Sequence, residues 1–106
     1  MTDKIVVLTT CNSQEQGAQL ARHLIEHRLA ACVSIVTGAR SFYRWRGEIE
    51  QAAEVVLIVK SRRDVFEKLR DAIVQLHSDE IPEVIALPVV DGSEGYLSWL
   101  DRELAQ

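Results

Sequence analysis

Several features that would mark a chain for export, for a membrane or for nucleic acid are missing. There are only two cysteines, Cys11 and Cys32, with no extracellular spacing pattern, and Met1-Thr2-Asp3-Lys4 leads into an apolar run with no signal-peptide hydrophobic region. Both features predict a reducing, cytoplasmic setting. No uninterrupted apolar run comes near the roughly 20 residues of a membrane-spanning helix. Positive charge is not in surplus either: 12 Lys and Arg stand against 16 Asp and Glu, a net charge of -4. Neither nucleic acid nor an anionic membrane is therefore expected as a partner. The chain also lacks a Gly-rich phosphate loop, a Gly-x-Ser-x-Gly elbow and a histidine tied by spacing to a nucleophile, so a non-enzymatic role is expected. No repeat, linker or low-complexity segment divides the 106 residues, which make one domain with room for a real core.

What is present is dominated by the stretch from Ala30 to Lys60, which reads as one very long β-hairpin. From Cys32 to Trp45 the apolar residues alternate (Val33, Ile35, Ala39, Tyr43, Trp45), with Thr37 and Ser41 in the gaps, the period of a half-buried strand. Arg46-Gly47 is the turn signal, because glycine accepts the positive φ that a tight hairpin needs. The return limb begins polar (Glu48, Glu50, Gln51, Glu54) and becomes Val55-Val56-Leu57-Ile58-Val59, a β-branched run suited to a strand covered on both faces. Two limbs of about 14 residues make a ribbon of roughly 45 Å, against a radius of gyration of about 13 Å for a domain of this size. The outer half, from Gly38 to Ala53, is therefore expected to overhang the domain. It would carry Phe42, Tyr43 and Trp45 into water unless a partner covers them, which predicts an oligomer. A shorter hairpin, folded back on its own domain by a bulge at Gly38, is the alternative.

Around the hairpin the elements fall in a definite order. Ile5 to Thr10 is strand-like, and Ser13 with Gln16 fits a capping box before Ala18, Ala21, Leu24, Ile25 and Leu29 at helical spacing. That predicts a first helix of about 15 residues ending near Arg28. Ser61 with Asp64 is a second capping signal ahead of the stripe Phe66, Leu69, Ala72, Ile73 and Leu76. Pro82 disfavours helix at Ile81. Val84-Ile85-Ala86-Leu87 reads as a short strand that Pro88 confines to an edge or an end. Gly92-Ser93 opens a last helix with Tyr96, Leu97, Trp99, Leu100 and Leu104. The class is α+β: a ferredoxin-like β-α-β-β-α-β order plus a C-terminal helix. Strand one then lies between strand three and the last strand, and both crossover helices cover one face. Connectivity places Thr9, Cys11, His77, Asp79, Glu80, Glu83 and the hairpin tip at one end of the sheet. Cys32, Lys60, Ser61, Arg62 and Gly92 fall at the other, so a Cys11–Cys32 disulfide is not expected.

Two groupings are candidate sites. Cys11, His77, Asp79, Glu80 and Glu83 bring soft and hard ligands to one end, where sulfur and imidazole suit copper or zinc and carboxylates suit harder ions. The spacing is no established metal signature. His77 at a helix end, solvated acids and a small buried Cys11 explain the same residues without an ion. The second set is Tyr43, Trp45, Lys60, Tyr96 and Trp99, aromatics around a cation that suit an anionic ligand at a subunit boundary. Interface core for Tyr43 and Trp45 and domain core for Trp99 is the competing explanation. His23 and His27 share a helix face at i, i+4. The metalloprotease motif needs glutamate directly after its first histidine, where Leu24 stands, so that reading fails and two exposed helix histidines remain. Strand three, Glu54 to Lys60, lacks the basic-Gly-aromatic pattern of the RNA-binding version of this fold.

The segments Leu29-Ala30-Ala31-Cys32-Val33, Tyr43-Arg44-Trp45-Arg46-Gly47-Glu48-Ile49-Glu50, Lys60-Ser61-Arg62, Ile81-Pro82-Glu83, Ala86-Leu87-Pro88 and Tyr96-Leu97-Ser98-Trp99-Leu100 resemble, in that order, the CutA divalent-ion-tolerance family. The resemblance covers nearly the whole chain. It implies a homotrimer of ferredoxin-like subunits, similar in architecture to PII-type signalling proteins, with the long hairpins paired against neighbouring subunits. It also implies a role in tolerance of divalent metals, with copper binding attributed to some members. The copper-associated cysteine of some relatives falls on Thr9 and their histidine pair on Leu76 and His77. Cys11, two residues beyond Thr9, shares its strand face. Where relatives tend to carry His-Pro-Tyr, this chain has His77-Ser78-Asp79. The expected cation ligands are therefore Cys11, His77, Glu80 and Glu83. The expected inter-subunit cleft is Cys32, Tyr43, Trp45, Lys60, Tyr96 and Trp99, with Glu83 also carried over to it by motif. A small-ligand sensor or trimeric scaffold of the PII type is the alternative function.

Overall fold

Along the first strand, β1 (Lys4–Cys11), Ile5, Val7, Thr9 and Cys11 are buried, while Val6, Leu8 and Thr10 between them are only half-buried. That alternation gives the sheet one face turned to a core and one left open. A computed structural model describes residues 1–105. Chain order continues with α1 (Gln14–Glu26), β2 (Cys32–Trp45), β3 (Glu48–Arg62), a 3₁₀ turn (Arg63–Val65), α2 (Phe66–Leu76), β4 (Ile85–Pro88) and α3 (Glu94–Glu103). The strands form one sheet in the order β2-β3-β1-β4, with every neighbouring pair antiparallel. This is the expected α+β, ferredoxin-like arrangement, with β1 in the predicted central position. No helix of the described residues is long and apolar enough to cross a membrane.

The core lies between the sheet and two helices. Leu20 and Leu24 of α1 and Leu69 and Ile73 of α2 pack on Ile5, Val7, Cys11, Val55, Leu57 and Val59. Gly17 lets α1 approach closely, since a Cβ there would meet Leu57 at 3.2 Å and Val55 at 3.3 Å. Ser13 caps α1, its Oγ accepting from the Gln16 amide at 3.1 Å, and the Gln16 side chain accepts in turn from the Asn12 amide. Ser93 caps α3 in the same way, accepting from the Tyr96 amide.

The second capping signal is used differently. β3 runs on through Ser61 and Arg62, and the buried Ser61 hydroxyl donates to the Leu29 carbonyl at 2.7 Å. Asp64 accepts from Arg62 at 2.6 Å instead of capping a helix, and α2 starts behind the 3₁₀ turn with no side-chain cap. A buried donor must find an acceptor, and the Leu29 carbonyl in the turn after α1 supplies it.

The hairpin contains both features that the sequence set against each other. Gly38, at φ +86°, marks a register shift between Val36 and Ala39, which is a β-bulge. The ribbon nonetheless continues to Trp45↔Glu48, where Arg46 and Gly47 both hold positive φ, 51° and 85°, the requirement of a two-residue type I′ turn. The molecule is correspondingly elongated, 45 × 26 × 23 Å, with a radius of gyration of 14.3 Å. Phe42 is 65% exposed and Ile49 72%.

The other sheet face has no helix over most of its area. Register aligns Val6 and Leu8 of β1, Val56 and Ile58 of β3, Val36 of β2, and Ile85 and Leu87 of β4 on it. Its Lys4–Arg62 corner is held by α3, through Asp101.

Candidate functional site

Strand alternation at the end of β1 separates the expected ligand set. Cys11 points to the helix-covered side, where it lines a cavity of about 220 Å³ with Gln16, Gln19, His23, Leu76 and His77. Thr10 points to the other side, where it lines a cleft of about 630 Å³ with Tyr43, Trp45, Glu54, Asp79, Glu80 and Glu83. Cys11 and His77 therefore meet on one side of the sheet, and Glu80 and Glu83 on the other. Among the described residues no group of three or more His, Cys, Asp and Glu side chains is placed to hold a metal ion within one chain. The single four-residue centre expected from the sequence is thus two separate places in one subunit.

The helix-side pair is chemically quiet. Burial pushes the Cys11 thiol up, and the nearby charges of Asp79 and Glu54 push it further, so at neutral pH it is a thiol and not a thiolate ligand. The His77 side chain is 1% exposed. Its Nε2 lies 2.5 Å from the Thr10 carbonyl oxygen, and its Nδ1 accepts from the Asp79 amide at 2.9 Å. A carbonyl only accepts, so the neutral ring carries its proton on Nε2 and its lone pair on Nδ1 is already used. His77 fastens the end of α2 to the end of β1. It becomes a ligand only by releasing one of those bonds. His23, which the sequence does not connect with Cys11, shares this cavity because α1 crosses above it.

The open-face cleft carries the charge. Four carboxylates (Glu54, Asp79, Glu80, Glu83) share its lining with Tyr43 and Trp45. Arg46 at the hairpin tip meets Glu80 at 3.1 Å across its mouth, both side chains well exposed, and lies 5.4 Å over the Trp45 ring. Glu54 enters from β3, opposite Ala39 just past the bulge. The sequence did not single it out, since a lone glutamate in a polar limb carries no signal of its own.

The second expected set is spread along one subunit. Cys32 is paired with Lys60, and Tyr43 with Glu50. Ten residues of β3 separate those pairs, roughly 33 Å at strand rise. Tyr96 and Trp99 stand together on α3, ring centroids 5.6 Å apart, and Trp99 packs on Ala31, Leu100 and Leu104 as domain core. A cleft uniting all six residues is not present within one chain. Near Cys32 the structure instead builds a charged tie. Lys4 Nζ lies 3.2 Å and Arg62 Nη1 3.1 Å from Asp101, and Arg62 also donates to the Ala105 carbonyl. The Arg62 hydrogen bond, helped by Lys4, holds the Asp101 carboxyl below its ordinary range against the opposing effect of burial. Cys11 and Cys32 are both free. The Thr9 hydroxyl is fully buried and has no hydrogen-bond partner among the described residues.

Comparison with known proteins gives this geometry a context. The family pattern described as CutA1 divalent ion tolerance protein matches residues 5–103. A Thermus thermophilus protein named divalent-cation tolerance protein CutA is 45% identical over 95 residues, which cover 90% of this chain and 92% of that protein. The chloroplastic protein CutA of Arabidopsis thaliana is 43% identical over 96 residues, 91% of this chain and 53% of that protein. The solved structure of the divalent cation tolerance protein from Thermus thermophilus has a TM-score of 0.94 at 42% identity, covering 96% of this chain and 99% of that one. Fold, segment order and sequence agree over nearly the full length, and the chain belongs to the CutA1 divalent ion tolerance protein family.

Proposed function

We propose that this chain is a non-enzymatic homotrimer of the cytoplasm that takes up a divalent cation at the acidic end of its sheet. The observation carrying the cation is the cleft in which Glu54, Asp79, Glu80 and Glu83 share one lining. Four carboxylates there lower the local potential and concentrate cations, and two of them, Asp79 and Glu54, also raise the Cys11 thiol behind the strand, after burial. Glu80 and Glu83 make the first contacts. His77 and Cys11 stand behind β1 and join only if His77 releases the Thr10 carbonyl or the Asp79 amide. Copper is the ion that family resemblance brings forward, whereas accessible carboxylates suit harder ions equally well. The titration must therefore run copper, zinc and manganese side by side. Replacing Glu80 and Glu83 together by glutamine is expected to weaken binding, and His77→Ala to change the preference between copper and manganese. Affinities identical to wild type in both variants remove the site.

A second reading has its own observation. Tyr43 and Trp45 near the hairpin tip lie about ten residues of strand from Lys60, so they meet Lys60, Cys32 and Tyr96 only if the ribbon of one subunit reaches the far end of another. Such an inter-subunit cleft, aromatic around a cation, suits a small anionic ligand in the manner of PII-type sensors. Native mass spectrometry of the freshly purified assembly, looking for a co-purifying small molecule, separates the two readings.

A further inference from the structure

The helix α1 carries a pair of histidines that neither the cleft nor the core uses. His23 and His27 are one helical turn apart, their rings stacked with centroids 4.0 Å apart and planes inclined by 26°. His27, the C-cap of α1, is exposed and His23 is half-buried, with His23 at the margin of the face that carries Leu20. His27 Nδ1 lies 3.0 Å from the His23 carbonyl oxygen. Because the carbonyl can only accept, Nδ1 carries the proton and Nε2 keeps its lone pair. An imidazole whose second nitrogen is anchored to a backbone carbonyl has its tautomer and direction fixed, which is how protein ligands to transition metals are ordinarily prepared.

From this pairing we infer that His23 and His27 form a two-nitrogen site for a transition-metal dication, at the C-terminal end of α1 and independent of the acidic cleft. Two nitrogens each about 2.0–2.1 Å from one ion are at most about 4.2 Å apart, and histidines four residues apart can reach one ion from the same helix face; the stacked rings, centroids 4.0 Å apart, turn out of the stack to aim both lone pairs at it. Glu15 and Glu26 line the adjoining groove with His23, which favours a cation, while Arg22 in the same lining opposes one. The balance selects ions that gain strongly from imidazole. Copper, zinc and nickel qualify, and magnesium and calcium do not. Water completes the coordination, as the position is open to solvent. His23 also borders the cavity of Cys11 and His77, so the test has to separate the pair from that cavity.

Isothermal titration of the intact protein with Zn²⁺, repeated with Mg²⁺, reads the site in wild type, His23→Gln, His27→Gln, His77→Ala and the Glu80→Gln/Glu83→Gln double variant. Glutamine keeps a polar side chain of similar reach at both positions, and far-ultraviolet circular dichroism verifies that the fold is kept. A zinc-binding event is expected that survives His77→Ala and the cleft variant, and that Mg²⁺ does not reproduce. His23→Gln and His27→Gln should each weaken it by more than the roughly tenfold that loss of a supporting group costs. Titrations of His27→Gln that superimpose on wild type, or an event abolished by the cleft variant alone, overturn the inference. Failure of the acidic cleft to bind any ion leaves this event in place, so the two results are read separately.

Discussion

Thr9 and Asp101 illustrate two ways in which this fold places a polar side chain. The Thr9 hydroxyl faces the helix-covered side beside Val7 and Cys11 with nothing to bond, and an unsatisfied buried hydroxyl costs about 1–3 kcal/mol. Thr9→Val keeps the shape and removes the group, so chemical denaturation should show a gain of about 1 kcal/mol. A loss of stability would mean that the hydroxyl has a partner after all. Asp101 is the opposite case, tied to Arg62 and Lys4. Its folded-state pKa lies below the unfolded value, so its contribution is fully present above about pH 4 and disappears as pH falls through the lower folded value. Asp101→Asn should therefore be less stable than wild type at pH 7, with the gap closing on acidification below about pH 4. A gap independent of pH would contradict the tie. The 46% exposed carboxylate is partly screened by solvent, so the effect is modest.

At the scale of elements, the hairpin was the most legible part of the chain and the ligand set the least. The Arg46-Gly47 turn is a local signal and is kept, whereas the alternation from Val33 to Trp45 is interrupted at Gly38, where the bulge moves Ala39, Tyr43 and Trp45 to the face opposite Val33 and Ile35. Ser61-x-x-Asp64 is also local, yet the same residues satisfy two other demands, the Leu29 carbonyl and Arg62, that only the folded chain supplies. The ligand grouping is divided within one chain for a third reason. Connectivity correctly brings Cys11, His77, Glu80 and Glu83 to one end of the sheet, but the face each one takes depends on the path of residues 77–84, where no periodicity exists to read. His77 turns inward to Thr10, and Glu80 and Glu83 turn to the open face. The turn offers a direct check. Gly47→Val forces a β-branched residue to φ 85° and should cost at least the roughly 1–2 kcal/mol of a left-handed non-glycine residue. Arg46→Asn creates the preferred Asn-Gly pair and should leave stability unchanged or higher, despite losing the exposed contact with Glu80. Equal thermal midpoints for the two variants would argue against a type I′ turn.

For the whole molecule, the unfinished features all concern apolar surface. The open sheet face presents Val36, Ile85 and Leu87, each about half exposed, in line with Val6, Leu8, Val56 and Ile58. The ribbon adds Phe42, Tyr43, Trp45 and Ile49 beyond the body of the domain. Covering one such aliphatic or aromatic side chain completely is worth about 1.5–3 kcal/mol, and leaving so many together is unusual for a solitary subunit. A trimer that closes the sheet faces inward and lays each ribbon against a neighbour accounts for both surfaces at once. Trp45→Glu should weaken that assembly by placing an unpaired charge where water is excluded, seen as a dissociating species in light scattering, whereas a trimer unchanged by the substitution would put Trp45 outside the interface. Sedimentation velocity of the wild-type chain at micromolar concentration tests the arrangement most directly. The proposed assembly predicts a single species of three times the 12.0 kDa chain mass. A stable 12.0 kDa monomer would contradict it.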